Sequence, residues 1–157
     1  MRKKTPDWEG CTELRRALES VSNPAAQKPD ADEPEYFFHF KATLRISGDG
    51  LDVDEISRRL GLMPTHTHQK GDRRKHDMWS YTAPVAEEQR LEEHIIALWD
   101  AVRPHIPYLR DLKRKFQVDV FCSYRSNSAT AGFQVSHRCL GLFSELEVPF
   151  GVSVVIS

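Results

Sequence analysis

The residues best suited to chemistry lie between Pro64 and Trp79. This segment reads Pro64-Thr65-His66-Thr67-His68-Gln69-Lys70-Gly71-Asp72-Arg73-Arg74-Lys75-His76-Asp77-Met78-Trp79. Lys70, Arg73, Arg74 and Lys75 form a local cluster of positive charge, offset in the segment only by Asp72 and Asp77. Open backbone N–H groups around Gly71, beside such cations, suit a phosphate or a carboxylate. Trp79 supplies a ring that could stack a base, or a core aromatic next to Tyr81. The candidate ligand-binding set is therefore Lys70, Gly71, Asp72, Arg73, Arg74 and Trp79. Set against it is a plain solvated loop in which Lys70-Gly71-Asp72 makes a tight turn. His66-x-His68 is a second pattern: on a strand, residues two apart present both imidazoles on one face, and His76 or Asp72 could complete a metal site. No cysteine joins that set, and ordinary surface histidines have the same spacing.

Elsewhere the sequence carries little that could react. Cys139 follows His137 by two residues, and i,i+2 side chains on a helix do not face one another. Cys122 falls on the apolar side of an alternating run. Glu87, Glu88, Glu92 and Glu93 read as a solvated helix face. No G-x-S-x-G, phosphate-binding loop or dinucleotide fingerprint occurs. No catalytic residue is nominated, no cofactor is expected, and the chain leans away from enzymes.

Composition narrows the field further. There are 22 basic and 23 acidic residues among 157, for a formal net charge of −1. Such balance argues against non-specific binding to nucleic acid or anionic lipid as the main activity, while leaving room for a local patch. The three cysteines are an odd set without C-x-x-C spacing, which favours reduced thiols and a cytoplasmic setting. Met1-Arg2-Lys3-Lys4 imitates the start of a signal peptide, but Thr5-Pro6-Asp7-Trp8-Glu9-Gly10 is polar, and no run is long enough to span a membrane.

These residues need a scaffold, and alternation of apolar and polar side chains supplies one. Residues 1–35 read as an extension: a short helix over about 12–21 with Leu14, Leu18 and Val21, then a linker rich in proline and acids. This extension is expected to be dispensable for folding. A single α+β domain is expected over 36–157. Phe38, Phe40, Ala42, Leu44 and Ile46 alternate with polar residues and predict a half-buried strand. Asp52 predicts an N-cap with Glu55 three residues on, Val53, Ile56 and Leu60 a buried helical stripe, and Gly61 its stop. Residues 62–77 read as loop, Met78–Thr82 as a short strand, and Val85–Val102 as the longest helix, with a short helix after it. Val118, Val120, Cys122 and Tyr124 mark another strand, Phe133–Val135 a short one, and Ser136 the cap of a helix burying Leu142, Phe143 and Leu146. Val148, Phe150, Val152, Val154 and Ile156 mark the last strand. The expected order is β-α-β-α-(α)-β-β-α-β. It predicts a two-layer α+β sandwich: a mainly antiparallel five-stranded sheet with helices on one face, with the ferredoxin-like arrangement as the candidate topology.

Ile46-Ser47-Gly48, Leu51-Asp52, Ile56, Leu60-Gly61-Leu62, Pro64-Thr65, Lys70-Gly71-Asp72 and Trp79 form a distinctive series, continued by His94, Pro104, Leu109 and the closing apolar strand. In this series the chain resembles the bacterial domain-of-unknown-function family numbered 4279, over about residues 37–156. The resemblance implies a small bacterial cytoplasmic protein, and it brings no catalytic residues with it. Three functions compete. The first is a non-catalytic module that binds a protein partner, including the immunity type that neutralises its target. The second is a nucleotide- or RNA-binding domain using the basic loop at 66–79. The third is a hydrolase built from His66, His68, Asp72 and His94. No membrane partner is expected.

Overall fold

The computed structural model describes residues 35–128, 130 and 132–157. The extension at 1–34, with its expected helix at 12–21, lies outside the described residues. The elements are β1 (Phe38–Gly48), α1 (Val53–Leu60), β2 (His66–His68), β3 (Asp77–Thr82), α2 (Leu91–Val102), a 3-10 turn (Arg103–His105), α3 (Ile106–Leu112), β4 (Gln117–Ser126), α4 (Gly141–Leu146) and β5 (Val152–Ile156). The five strands form one sheet in the order β2-β3-β1-β4-β5. Four of them make a split β-α-β pattern, with β3 lying between β1 and β2, and β1 between β3 and β4. That is the ferredoxin-like arrangement. β5 is added outside β4 and runs parallel to it, so the sheet is mixed rather than wholly antiparallel.

The alternation in β1 and β4 sets which face is covered. Ala42, Leu44 and Ile46 on β1, and Val118, Val120, Cys122 and Tyr124 on β4, all point into the core. They meet Ile56 and Leu60 of α1, Leu91, Ile95, Leu98 and Val102 of α2, Leu109 of α3, and Leu142 and Leu146 of α4. Lys41 and Arg45 lie on the opposite, open face, where Arg45 makes two hydrogen bonds to Asp119 (2.7 and 3.0 Å) and lies over the Phe121 ring. α1 has the boundaries its sequence predicts. The Asp52 carboxylate accepts from the Glu55 N–H at 2.9 Å, and Gly61 closes the helix at φ 63°, a left-handed conformation that glycine adopts without a Cβ penalty.

Five elements differ from expectation, one of them β5, which forms only over Val152–Ile156, without Val148 and Phe150. The strand expected at Phe133–Val135 does not form. A parallel β4–β5 pair requires a crossover connection, and these residues lie in it, with Phe133 edge-on to Phe40 and Tyr124 on the core face. The fifth strand is instead β2, within the segment read as loop. The helix expected from Val85 begins only at Leu91. Beyond the end of β3, the Phe40 N–H donates to the Glu87 carbonyl (2.7 Å) and Ala83 N–H to the Ala42 carbonyl (3.2 Å). The chain at 83–87 thus serves the edge of β1, and the Glu87 carbonyl is not free for a helix. Ser136 opens a turn, its carbonyl accepting from Cys139 N–H, and the helix it was expected to cap starts at Gly141.

Cys122 and Cys139 are both free and buried. Burial pushes the Cys122 thiol up to about 12, because desolvation disfavours the thiolate. Cys122 should therefore resist a maleimide reagent in the native protein and react fully in denaturant. Rapid native-state labelling, read by mass spectrometry, would show that the β4 face is not sealed.

Candidate functional site

The segment from Pro64 to Trp79 is a β-hairpin at the edge of the sheet. β2 pairs antiparallel with β3, placing His66 opposite Ser80, Thr67 opposite Trp79 and His68 opposite Met78. Thr65 fastens its start: its N–H donates to the Ser80 carbonyl and its hydroxyl oxygen accepts from the Thr82 N–H at 2.8 Å. Gly71 and Arg74 exchange backbone hydrogen bonds of 2.9 and 3.1 Å, which makes Asp72 and Arg73 the corner of a tight turn.

Two aspartates tie this hairpin to the turn that follows β1. The Asp77 carboxylate accepts from the backbone N–H of Lys70 (2.7 Å), Gly50 (2.9 Å) and Leu51 (3.2 Å). Those N–H bonds, that of Lys70 foremost, hold its carboxyl below the usual range. Asp49 takes the Lys70 ammonium on one oxygen (2.6 Å) and the His76 Nδ1 on the other (2.8 Å). The Lys70 contact is the main cause of the lowered Asp49 pKa, and Asp49 in turn raises that of Lys70. Lys70 and His76 are thus already engaged within the fold.

The remaining cations differ from these. Arg73, Arg74 and Lys75 are exposed, and none of them forms an ion pair among the described residues. Asp72 is exposed beside them. The geometry therefore splits the expected set: Arg73 and Arg74 project from the tip, Gly71 and Asp72 shape the turn, and Lys70 braces it. Trp79 leaves the set altogether. Its ring is fully buried, opposite Ile46, and its indole N–H donates to the Ser57 hydroxyl at 2.9 Å. It is a core residue, and no base can stack on it. Asp49 was missed because its role depends on a contact made across the sheet edge, and Ser47-Gly48-Asp49-Gly50 reads locally as a turn.

The histidines do not gather as a trio. His66 and His68 stand side by side, His68 Nδ1 to His66 Nε2 at 3.5 Å, whereas His76 turns to Asp49. Among the described residues no group of three or more His, Cys, Asp or Glu side chains is placed to hold a metal ion. His94 is wholly buried in α2. Since α2 packs on the covered face while β2 lies at an edge with its histidines toward the open face, His66, His68, Asp72 and His94 are not assembled as a hydrolytic site. Among the described residues no helix is long and apolar enough to cross a membrane. No curated protein and no solved structure matches the chain. The family model described as "Domain of unknown function (DUF4279)" matches residues 38–156, nearly the whole described domain, and the chain belongs to that family.

Proposed function

We propose that this domain is a non-catalytic binding module of the cytoplasm, and that the tip of the β2–β3 hairpin engages an acidic surface on a protein partner. The observation that carries this reading is the contrast within one loop. Asp49 and Asp77 brace the hairpin by binding Lys70, His76 and three backbone N–H groups. Arg73, Arg74 and Lys75 stay exposed at its end. A braced loop loses less conformational entropy on binding, and cations on it steer and orient an acidic partner. Burial of Trp79 removes the aromatic platform that a single-stranded nucleic acid would use. Two buried free thiols suit a reducing compartment.

Alanine at Arg73, Arg74 and Lys75 together should leave the melting temperature within a few degrees, because exposed side chains outside special sites contribute little to stability. The triple variant should lose a partner captured by the wild-type domain from native cell extract. That capture should weaken with salt, as screened charges do, and survive nuclease treatment. A partner retained by the triple variant would move the search to the open face of the sheet, and a nuclease-sensitive complex would select nucleic acid as the ligand. Lys70→Ala is a separate arm: it loosens the brace without removing a tip cation.

A further inference from the structure

The His66–His68 pair is independent of the basic tip and has its own geometry. The two residues lie two apart on β2, so their side chains share one face of the strand. Their nearest ring nitrogens, His66 Nε2 and His68 Nδ1, are 3.5 Å apart. A tetrahedral ion with metal–nitrogen bonds of about 2.0–2.1 Å holds two nitrogens roughly 3.3–3.4 Å apart. The cis edge of a square-planar site at similar bond lengths is about 2.9 Å. The pair is thus already close to the bite of a tetrahedral ion. Its backbone is held in place: the His66 carbonyl accepts from the Ser80 hydroxyl at 3.0 Å, and both residues are in register with β3.

A third donor lies across the ladder. Met78 is directly opposite His68. Opposite residues in an antiparallel pair project to the same face, with Cβ atoms about 4.5–5.5 Å apart, within reach of a flexible thioether. His66 is exposed, while His68 and Met78 are partly exposed. β2 is the outermost strand of the sheet among the described residues. Two imidazoles and a thioether are a soft donor set, and thioether ligands select Cu(I) among the ions that imidazole accepts.

We propose that His66 Nε2 and His68 Nδ1 chelate a closed-shell metal ion of tetrahedral preference, and that the Met78 thioether, as third donor, favours Cu(I) over Zn(II). Both imidazoles bind in the neutral form, each keeping its proton on the other ring nitrogen. The hydrogen bond between the two rings is given up on binding.

The test uses the full chain with Cys11→Ser, so that this thiol does not compete; Cys122 and Cys139 are buried. Under anaerobic conditions the protein is titrated with Cu(I) supplied as its acetonitrile complex, and in parallel with Zn(II). Binding is followed by imidazole nitrogen NMR. One equivalent of either ion should shift His66 Nε2 and His68 Nδ1 while leaving the His76 ring in place. H66N/H68N should abolish binding of both ions. Met78→Leu should weaken Cu(I) by about tenfold or more, at least what loss of an outer-shell partner costs, and leave Zn(II) unchanged. Unshifted rings at one equivalent, or undiminished affinity in H66N/H68N, would overturn the chelate. An unchanged preference for Cu(I) in Met78→Leu would overturn the thioether's part in it.

Discussion

Replacing Trp79 by alanine should destabilise the domain by about 3–5 kcal/mol, the usual cost of emptying a buried aromatic site. The side chain is fully buried, lies beside Ile46 across the β1–β3 ladder, and ties the sheet to α1 through its hydrogen bond to Ser57. A domain of this size has roughly 5–15 kcal/mol of stability in all, so the variant should sit near the edge of folding. Trp79→Phe should cost less. It keeps most of the apolar surface, and Ser57 retains its own hydrogen bond to the Val53 carbonyl (2.8 Å). Urea titration followed by far-ultraviolet circular dichroism separates the two variants by their midpoints. A loss under about 1 kcal/mol in the alanine variant would show that the ring contributes little to the core. The same result bears on ligand studies: lost binding in Trp79→Ala would report unfolding, not a missing stacking platform.

The second large effect concerns His94. Its side chain is fully buried in α2, and neither ring nitrogen has a hydrogen-bond partner among the described residues. Burial lowers the pKa from its usual 6.5; the carbonyls of Ala86 and Gln89, near the ring but too poorly placed for full hydrogen bonds, and the carboxylates of Glu93 and Glu87 offset this only in part. Above the unfolded value near 6.5, neither state holds the proton and this group adds no pH dependence. As pH falls below it, the unfolded chain takes up a proton that the folded domain resists. Stability must then decline until the folded pKa is passed. The slope is at most about 1.4 kcal/mol per pH unit for one proton. His94→Leu should remove this component and, by replacing an unpartnered polar ring with an apolar side chain, raise stability at pH 7 by about 1 kcal/mol. Urea midpoints at pH 5.5 and 7.5 for both proteins test this. Equal losses on acidification in the two would show that the imidazole is not the responsible group.

Sequence patterning was sufficient wherever a single element carries its own signal. β1 and β4 each bury alternate residues against the helices, so period two is plain in both. α1 carries its cap and its stop within ten residues, Asp52 to Gly61. What was illegible depends on distant partners. β2 is a three-residue edge strand of histidine and threonine, and with no face committed to the core it has no alternation to read. The chain at 83–87 leads directly into Glu87-Glu88 and the helical stripe beyond, yet it is drawn out along β1 by hydrogen bonds to Phe40 and Ala42. In the candidate site, the cations were visible, but Asp49, which pairs with Lys70 and not with Arg73, lies 21 residues away from Lys70 in sequence. Trp79 shows the reverse problem: the residue type suits both a core and a stacking site, and only its burial decides.

The position of β1 at the centre of the sheet also has a consequence for how the domain comes into being. β1 is the first described element, and both of its neighbours come later in the chain. Thr43 pairs with Thr82 on one side and with Phe121 on the other. Pairing over such separations is slow, because a long loop must close before the contacts repay it. During synthesis at about 5–20 residues per second, β1 therefore waits seconds for β4 to emerge. Until then its Phe38, Phe40, Leu44 and Ile46 form an apolar strand with an unpaired edge, the kind of segment that associates with other chains. Lys41 and Arg45, on the face that stays open in the finished sheet, interrupt that run with charge. Charges so placed discourage association between unpaired strands, an effect separate from the ion pairs that Lys41 makes with Glu87 and Arg45 with Asp119 in the folded domain.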